Sequence, residues 1–397
     1  MTDAKLAGAA RSVVAGEELA ELIAVRRDLH QHPELKFEER RTAGIAARAL
    51  RAAGYQVTEG VGATGVVGVL EGGRKGRTLL MRADMDALPI HEANEAPYAS
   101  RTPGVMHACG HDGHVAIGLG TARRLAAAPR DFAGTVKYVF QPGEEGGCGA
   151  ARMIDEGVLE SPQVDAAFGI HLWADMPMGL IAVTPGVCMG SVDEFEVTLT
   201  GRGGHAAAPH QAVDPVVCAA QVVTAMQSLV SRGADPFAQL VVSVTQIAAG
   251  HAFNVIPETA TLRGTVRTMG GTVWDEIPRR LETLVSGIAA AMGCRADVRY
   301  VRQTPPLDNE PGLSALVRQA ALAVVGEARV RDDVRTMGGE DFAFFGRKVP
   351  ACFAFVGSRN SAKGADAPHH SPRFDIDEDA LLIGVELAER VARAYLA

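Results

Sequence analysis

Cysteine is scarce in this chain: six residues, at positions 109, 148, 188, 218, 294 and 352, are spread through 397. They are too few and too scattered for a disulfide framework at this length, and a reducing cytoplasm is the compartment they fit. Runs of Lys or Arg are missing as well, and 39 basic residues against 47 acidic give a net charge of −8 with a pI near 5.9. Nucleic acid and anionic membrane surfaces both require concentrated positive charge, so neither is an expected partner. Long apolar runs are lacking too. The longest stretch without Asp, Glu, Lys or Arg, Pro236 to Pro257, is interrupted by Gln239, Ser243, Gln246, Gly250, His251 and Asn254 and cannot span a bilayer. The first thirty residues carry Asp3, Glu17, Glu18, Glu21 and Asp28 without the apolar core of a secretory signal, so export by that route is not expected. Internal repeats and low-complexity tracts are absent.

What is present describes a globular protein. Hydrophobic residues make up 47% and charged residues 22%, enough to bury a core. The length exceeds the roughly 250–300 residues at which one core stops growing, so at least two domains are expected. Helical spacing from Glu17 through Leu29 and from Glu38 to Ala53 opens the chain. Strand-like runs follow at 65–70, 78–82, 135–141 and 166–172, interleaved with helical stretches at His114–Ala128 and 150–156. This alternation predicts a mainly parallel, helix-covered sheet. From Ser191 the pattern changes to strand, helix, two strands, helix and strand, with helices at 215–230 and 274–292, which reads as a separate four-stranded α+β unit. The expected division is therefore 1–190 with 304–397, and 191–303 inserted between them. A helix at 313–325, a strand at 352–356 and a helix at 378–395 complete the first domain.

Acids and histidines cluster where the strands end: Asp84-Met85-Asp86, Glu144-Glu145 and His171. In open α/β sheets the carboxyl ends of the strands converge on the site, although any one such cluster reads equally well as a polar loop. The run His107-Ala108-Cys109-Gly110-His111-Asp112-Gly113-His114 puts a thiolate, imidazoles and a carboxylate within eight residues. Those are donors for zinc or its neighbours, and Gly110 lets the backbone turn so that Cys109 and His111 face one ion. Cys109 also reads as a nucleophile activated by a histidine, or as a buried cysteine beside surface histidines. Adjacent carboxylates in an extended segment point opposite ways, so one of Glu144 and Glu145 can hold a metal while the other serves as base. A solvated acidic turn is the plainer reading of that pair, and a polar loop that of His369-His370-Ser371-Pro372.

Taken in order, 82–89 (Arg-Ala-Asp-Met-Asp-Ala-Leu-Pro), 106–112 (Met-His-Ala-Cys-Gly-His-Asp), 141–145, 169–171, 204–207, 254–257, 339–342 and 370–372 resemble the M20 metallopeptidase family. The resemblance is to its amidohydrolase branch of hippurate hydrolases, N-acyl-amino-acid deacylases and auxin-conjugate hydrolases, and it covers nearly the whole chain, including His32-Pro33-Glu34. It implies a zinc-peptidase-like α/β sandwich with an inserted ferredoxin-like α+β domain serving as lid and dimer surface. It also implies two divalent ions, zinc first and manganese, cobalt or nickel as alternatives, held by Cys109, His111, Glu145, His171 and His370. Glu144 would be the general base acting on a water whose pKa the metal lowers, and His205 the donor to the oxyanion. Asn254 and Arg267 resemble substrate-binding residues of the lid, Arg267 pairing with an amino-acid carboxylate. Most of the wider family has a bridging aspartate where this chain has Cys109, and a His-x-Asp motif where it has Asp84-Met85-Asp86. Asp86 is accordingly expected to orient a metal-bound histidine, and His369 competes with His370 as the last ligand.

The expected activity is hydrolysis of the amide bond of N-acyl-amino acids by a cytoplasmic homodimer, with a dipeptidase or carboxypeptidase of the same family as the alternative. A non-catalytic metal-binding protein is a more remote third reading, which the presence of Glu144 opposes. Because His205 lies in the inserted segment and every implied ligand outside it, the resemblance implies that each site is completed by the partner subunit.

Overall fold

The structure is a computed structural model that describes residues 16–127 and 131–397. Asp3 and Ala128, which figured in the sequence reading, lie outside the described residues. In chain order the principal elements are α1 (Glu17–Gln31), α2 (Arg40–Ala52), β1 (Gln56–Val61), β2 (Gly65–Glu71), β3 (Arg74–Asp84), α3 (His111–Ala127), β4 (Ala133–Gln141), β5 (Ala166–Pro177) and β6 (Ile181–Ala182). There follow β7 (Val192–Thr200), α4 (Pro215–Ser231), β8 (Leu240–Ala249), β9 (Thr259–Thr268), α5 (Gly271–Ala291) and β10 (Arg295–Thr304). The chain closes with α6 (Pro311–Val325), β11 (Val330–Arg331), β12 (Ala351–Arg359) and α7 (Ala380–Tyr395). No helix among the described residues is long and apolar enough to cross a membrane.

Two compact units emerge. One runs to Gly186 and adds Asp308–Val334 and Asp341–Ala397; the other comprises Val187–Leu307 and Arg335–Glu340. The junctions fall a few residues outside the 191 and 303 expected from sequence. The segment 335–340 joins the second unit because Thr336 bridges to Met189, exchanging backbone hydrogen bonds with Cys188 and Gly190 at 3.0 Å each.

In the first unit the strands form a sheet in the order β1-β2-β4-β3-β5-β12-β6-β11. The four central strands β4, β3, β5 and β12 are parallel, as the alternating pattern predicted. The sheet is mainly parallel as expected, with antiparallel pairs at its flanks: β1 with β2, β2 with β4, and β12 with β6. For β1 and β2 the reason is local, since a three-residue turn joins them and permits only the antiparallel return. Strands β3, β4 and β12 are buried along their apolar halves, the signature of a sheet covered on both faces. Helix α2 buries Ala43, Ala46, Ala47 and Leu50, one stripe at helical spacing, while α3 is buried nearly all round.

The second unit is a four-stranded antiparallel sheet, β8-β9-β7-β10, with α4 and α5 against one face. Strand β7 alternates: Phe195, Val197 and Leu199 are buried in its core, while Glu194 is exposed and Glu196 only partly covered on the other face. Helix α5 supplies Ile277, Leu281, Val285 and Ala289 to the same core, spaced four apart.

Candidate metal centre

Parallel strands present their carboxyl ends on one side of a sheet, and here that side gathers the polar motifs. Asp84 closes β3, Glu144 and Glu145 follow β4, His171 lies within β5, and His111 is the first residue of α3. Cys109 sits in the turn before α3, where Gly110 takes φ +89°, a left-handed conformation that a side chain rarely adopts. Gly113 has a second requirement: a Cβ there would stand 2.4 Å from Leu172 Cδ1, so only glycine lets α3 approach β5 beside His171.

Five donor triads result among the described residues, and two of them share the Cys109 sulfur. The ligand atoms of Cys109, His111 and His171 lie within 4.8 Å of one another, and so do those of Cys109, Glu145 and His370. Cys109 Sγ is 3.6 Å from His171 Nε2. A sulfur and a nitrogen bound to one tetrahedral zinc at their usual bond lengths are roughly 3.6 Å apart, so the pair is already spaced for an ion. His111 Nδ1 donates to the Asp86 carbonyl at 2.9 Å and His171 Nδ1 to the Leu172 carbonyl at 2.7 Å. A carbonyl only accepts, so each ring holds a proton on Nδ1 and turns Nε2 inward. His111 Nε2 is buried without a hydrogen-bond partner among the described residues, an orphan that a cation would satisfy. His370 takes φ +63°, and its amide donates to the Ala108 carbonyl at 2.8 Å, which ties the C-terminal loop to the cysteine loop. Its Nε2 comes within 3.2 Å of Glu145 Oε1.

The electrostatics favour a cation here over a free thiolate. Burial, then Glu145, Glu144 and Asp84, push the Cys109 thiol well above its ordinary range. Burial also holds His171 well below the usual imidazole value and presses His369 to about 3, so neither neighbouring ring is fitted to take the thiol's proton. That weighs against the activated-nucleophile reading of Cys109. Burial opposes charge on His111 as well, but Asp84, Asp86 and Glu145 outweigh it and lift His111 to about 10. The same field that favours a proton at His111 favours a metal ion there.

Glu144 and Glu145 correct one expectation. They occupy a tight turn after the left-handed Gly143, not an extended segment, and donor atoms of both acids lie within 4.8 Å of each other and of His111. Both therefore face the centre. Asp86 fixes them, its two carboxylate oxygens accepting the amides of Glu144 at 3.0 Å and Glu145 at 2.9 Å, while its carbonyl orients His111. Behind it Arg82 donates to Asp84, Gln141 and Asp341 at 2.7, 2.9 and 3.1 Å, and the Asp341 amide points to Glu144 Oε1 at 3.4 Å.

Sequence gives His114 no supporting role and offers His369 only as a competing ligand. His114 Nε2 accepts the Leu172 amide at 2.8 Å and its Nδ1 donates to Asp84 at 2.6 Å, anchoring the strand that carries His171. Its place three residues after His111, one helical turn on, was the available signal. His205, Asn254 and Arg267 lie in the second unit. The two-residue pairing of Gly204-His205 with Val255-Ile256 brings His205 beside Asn254, and both are exposed. The Ala207 amide donates to His205 Nδ1 at 3.0 Å. Arg267 is half-buried and, with Arg263 and Arg299, lines a cavity of about 570 Å³ over the sheet face opposite the helices.

A cluster of thiolate, imidazole and carboxylate donors with a further carboxylate beside it is equipment that a metal-dependent hydrolase can use. The profile of peptidase family M20/M25/M40 matches residues 80–394, and the chain belongs to that family. It is 38% identical over 362 residues to the N-acetyl-L-cysteine deacetylase of Bacillus subtilis (strain 168), covering 91% of this chain and 85% of that protein. It is 37% identical over 367 residues to thermostable carboxypeptidase 2 of Saccharolobus solfataricus, covering 91% and 92%. The crystal structure of the Bacillus subtilis YXEP protein, described as a dinuclear metal binding peptidase from the M20 family, superposes with a TM-score of 0.85 at 34% identity, covering 96% and 98% of the two chains.

Proposed function

We propose that this hydrolase cleaves the amide bond of N-acyl-amino acids, with two divalent cations held by Cys109, His111 and His171 and by Cys109, Glu145 and His370. The observation that carries the reading is the pair of donor triads joined at one thiol. Cations held there would supply Lewis-acid chemistry, lowering the pKa of water from 15.7 to about 7 and polarising the scissile carbonyl. Glu144, facing the same centre from the turn that Asp86 pins, takes the proton of the attacking water and returns it to the departing amine. With Nδ1 accepting the Ala207 amide, His205 has only Nε2 left to carry a proton, the donor an oxyanion needs. Asn254 and Arg267 contact the substrate, Arg267 pairing with the amino-acid carboxylate.

Zinc is the first choice of metal because thiolate and imidazole donors suit it, with manganese, cobalt and nickel as alternatives. The second unit serves as lid and as the surface of a homodimer. Support for the dimer comes from Ile247 and Val255, exposed at 61% and 52%, with Phe253 fully exposed, and from the uncovered edge strand β8. The six free thiols fit a cytoplasmic enzyme.

A second reading, carboxypeptidase or dipeptidase action, is favoured by the likeness to thermostable carboxypeptidase 2. Purified protein loaded in turn with each metal, assayed on N-acetyl-, N-benzoyl- and indole-acetyl-amino acids and on unblocked dipeptides, decides between them. Release of acetate, benzoate or indole-acetate supports the proposal. Turnover of dipeptides alone, giving two amino acids, overturns it.

A further inference from the structure

His369 adjoins the ligand His370 and approaches the shared thiol, yet its surroundings suit it for a different task. The Ala174 amide donates to His369 Nε2 at 3.0 Å. A backbone N–H cannot accept, so Nε2 carries the lone pair and a neutral ring must hold its proton on Nδ1. Nδ1 is the atom that faces Cys109 Sγ, at 3.8 Å. The ring is fixed in that orientation by aromatic neighbours: Trp173 at 4.8 Å and 38°, Phe374 at 5.1 Å and 33°, and His171 edge-on at 5.2 Å. Turning the ring over would exchange both nitrogens for carbons and lose both contacts. A nitrogen with its proton directed at sulfur offers no lone pair to a metal.

We infer that His369 is a positioning residue: its Nδ1–H donates to the Cys109 thiolate and, fixed by the Ala174 amide, sets the direction and electron density of the sulfur shared by the two triads. The inference rests on Cys109 being a metal ligand, as proposed above. A hydrogen bond to a coordinated thiolate stabilises its lone pairs, so the sulfur gives less charge to the metals, and partners of this kind are worth 10–100-fold in metal affinity. The thiolate has two neighbouring imidazoles with opposite roles: His171 turns a lone pair towards the shared ion, and His369 turns a proton towards the sulfur.

Cobalt(II) substitution tests this, because a thiolate bound to cobalt gives a sulfur-to-metal charge-transfer absorption whose energy reports the sulfur lone pairs. In H369F the donor is gone while an aromatic ring remains. In H369N the side-chain amide nitrogen can occupy the place of Nδ1, and in H369Q the carbonyl can occupy the place of Nε2 and keep the Ala174 contact. The expected result is a band shifted to lower energy in H369F and H369Q, a band near wild type in H369N, two cobalt ions per chain throughout, and cobalt affinity reduced roughly 10–100-fold in H369F and H369Q. A packing role would instead be rescued by H369Q, and a ligand role would cost one cobalt per chain in all three variants. Either outcome, or a band unmoved in H369Q, overturns the inference. Should H369F fail to fold, the comparison of H369N with H369Q decides alone. Absence of a charge-transfer band in the wild-type protein overturns the inference by another route, since it removes Cys109 as a ligand and leaves the proposed centre itself in error.

Discussion

Replacing Arg26 by Met tests how the first unit holds its opening helix against the helix that begins at the metal centre. Arg26 is fully buried, and its guanidinium donates to Asp112 at 2.8 Å, Asp375 at 2.8 Å and Glu378 at 3.3 Å. These acids lose different amounts when the arginine goes. Glu378 keeps Arg27 at 2.6 and 2.9 Å, and Asp375 keeps the Tyr98 hydroxyl at 2.7 Å. Asp112, also fully buried, keeps only His30 at 2.7 Å among the described residues, and none of them hydrogen-bonds its Oδ1 even with Arg26 present. Removing one member of a buried ion pair costs about 3–5 kcal/mol, because the other charge stays buried. At about 2 °C per kcal/mol for a unit of this size, Arg26→Met should lower Tm by about 6–10 °C.

The pH dependence has a definite sign. Burial alone would raise the Asp112 carboxyl, but Arg26 and then His30 outweigh it and hold the group far below the usual carboxylate range. A depressed folded pKa contributes stability above the unfolded value, about 3.9, and loses it as pH falls towards the folded one. The gap between wild type and Arg26→Met should therefore be widest near neutrality and narrow below about pH 4. Urea unfolding followed by Trp173 fluorescence reads this directly in a Trp274→Phe background, since the chain has 2 tryptophans, one in each unit. Asp112→Asn should restore part of the loss in the Arg26→Met background, with a coupling of about 1–3 kcal/mol. Additive single losses, or an Arg26→Met cost below about 1 kcal/mol, would refute the assignment of Asp112 as the charge that Arg26 neutralises.

Three further outcomes bear on the chemistry. Glu144→Gln should retain metal by atomic spectrometry while turnover falls by about 100-fold or more, whereas Glu145→Gln should lose metal first; equal metal loss in both reverses the assignment of base and ligand. Chelation should abolish activity reversibly, and Cys109→Asp should hold more metal than Cys109→Ala, since a carboxylate can also bridge; full activity of metal-free protein returns Cys109 to the role of nucleophile. Finally, His205→Ala and Glu144→Gln chains unfolded and refolded together should recover about a quarter of wild-type sites. Half of the dimers are then mixed, and one site in each is whole if His205 serves the partner; verified mixed dimers without activity restrict it to its own subunit.

The long elements were legible because each buries a continuous apolar pattern. Helix α2, the alternation of β7 and the central parallel strands all follow from local periodicity. Strands β6 and β11 were not legible, being two residues long and carrying no periodicity at all; they exist because β12 and each other offer them backbone partners. The antiparallel flank escaped for a similar reason, since strand direction depends on which edge a strand joins.

At the centre the division is sharper. Sequence alone determined the kinds of donor available: the run from His107 to His114 and His171 on β5 carry a soft thiolate and borderline imidazoles, and the two adjacent acids after β4 add hard carboxylates. It left open which atom of each faces the others. That Glu144 and Glu145 both face inward follows from Gly143 and from Asp86, 58 residues earlier, accepting the Glu144 amide. That His369 turns Nδ1 to Cys109 follows from the amide of Ala174, 195 residues before it, and His370 is held near Glu145 by its own amide donating to the Ala108 carbonyl. Ligand type is a property of the side chain and can be read one residue at a time. Tautomer and direction are set by hydrogen bonds to backbone that is distant in the chain, and only the packed sheet brings that backbone within reach.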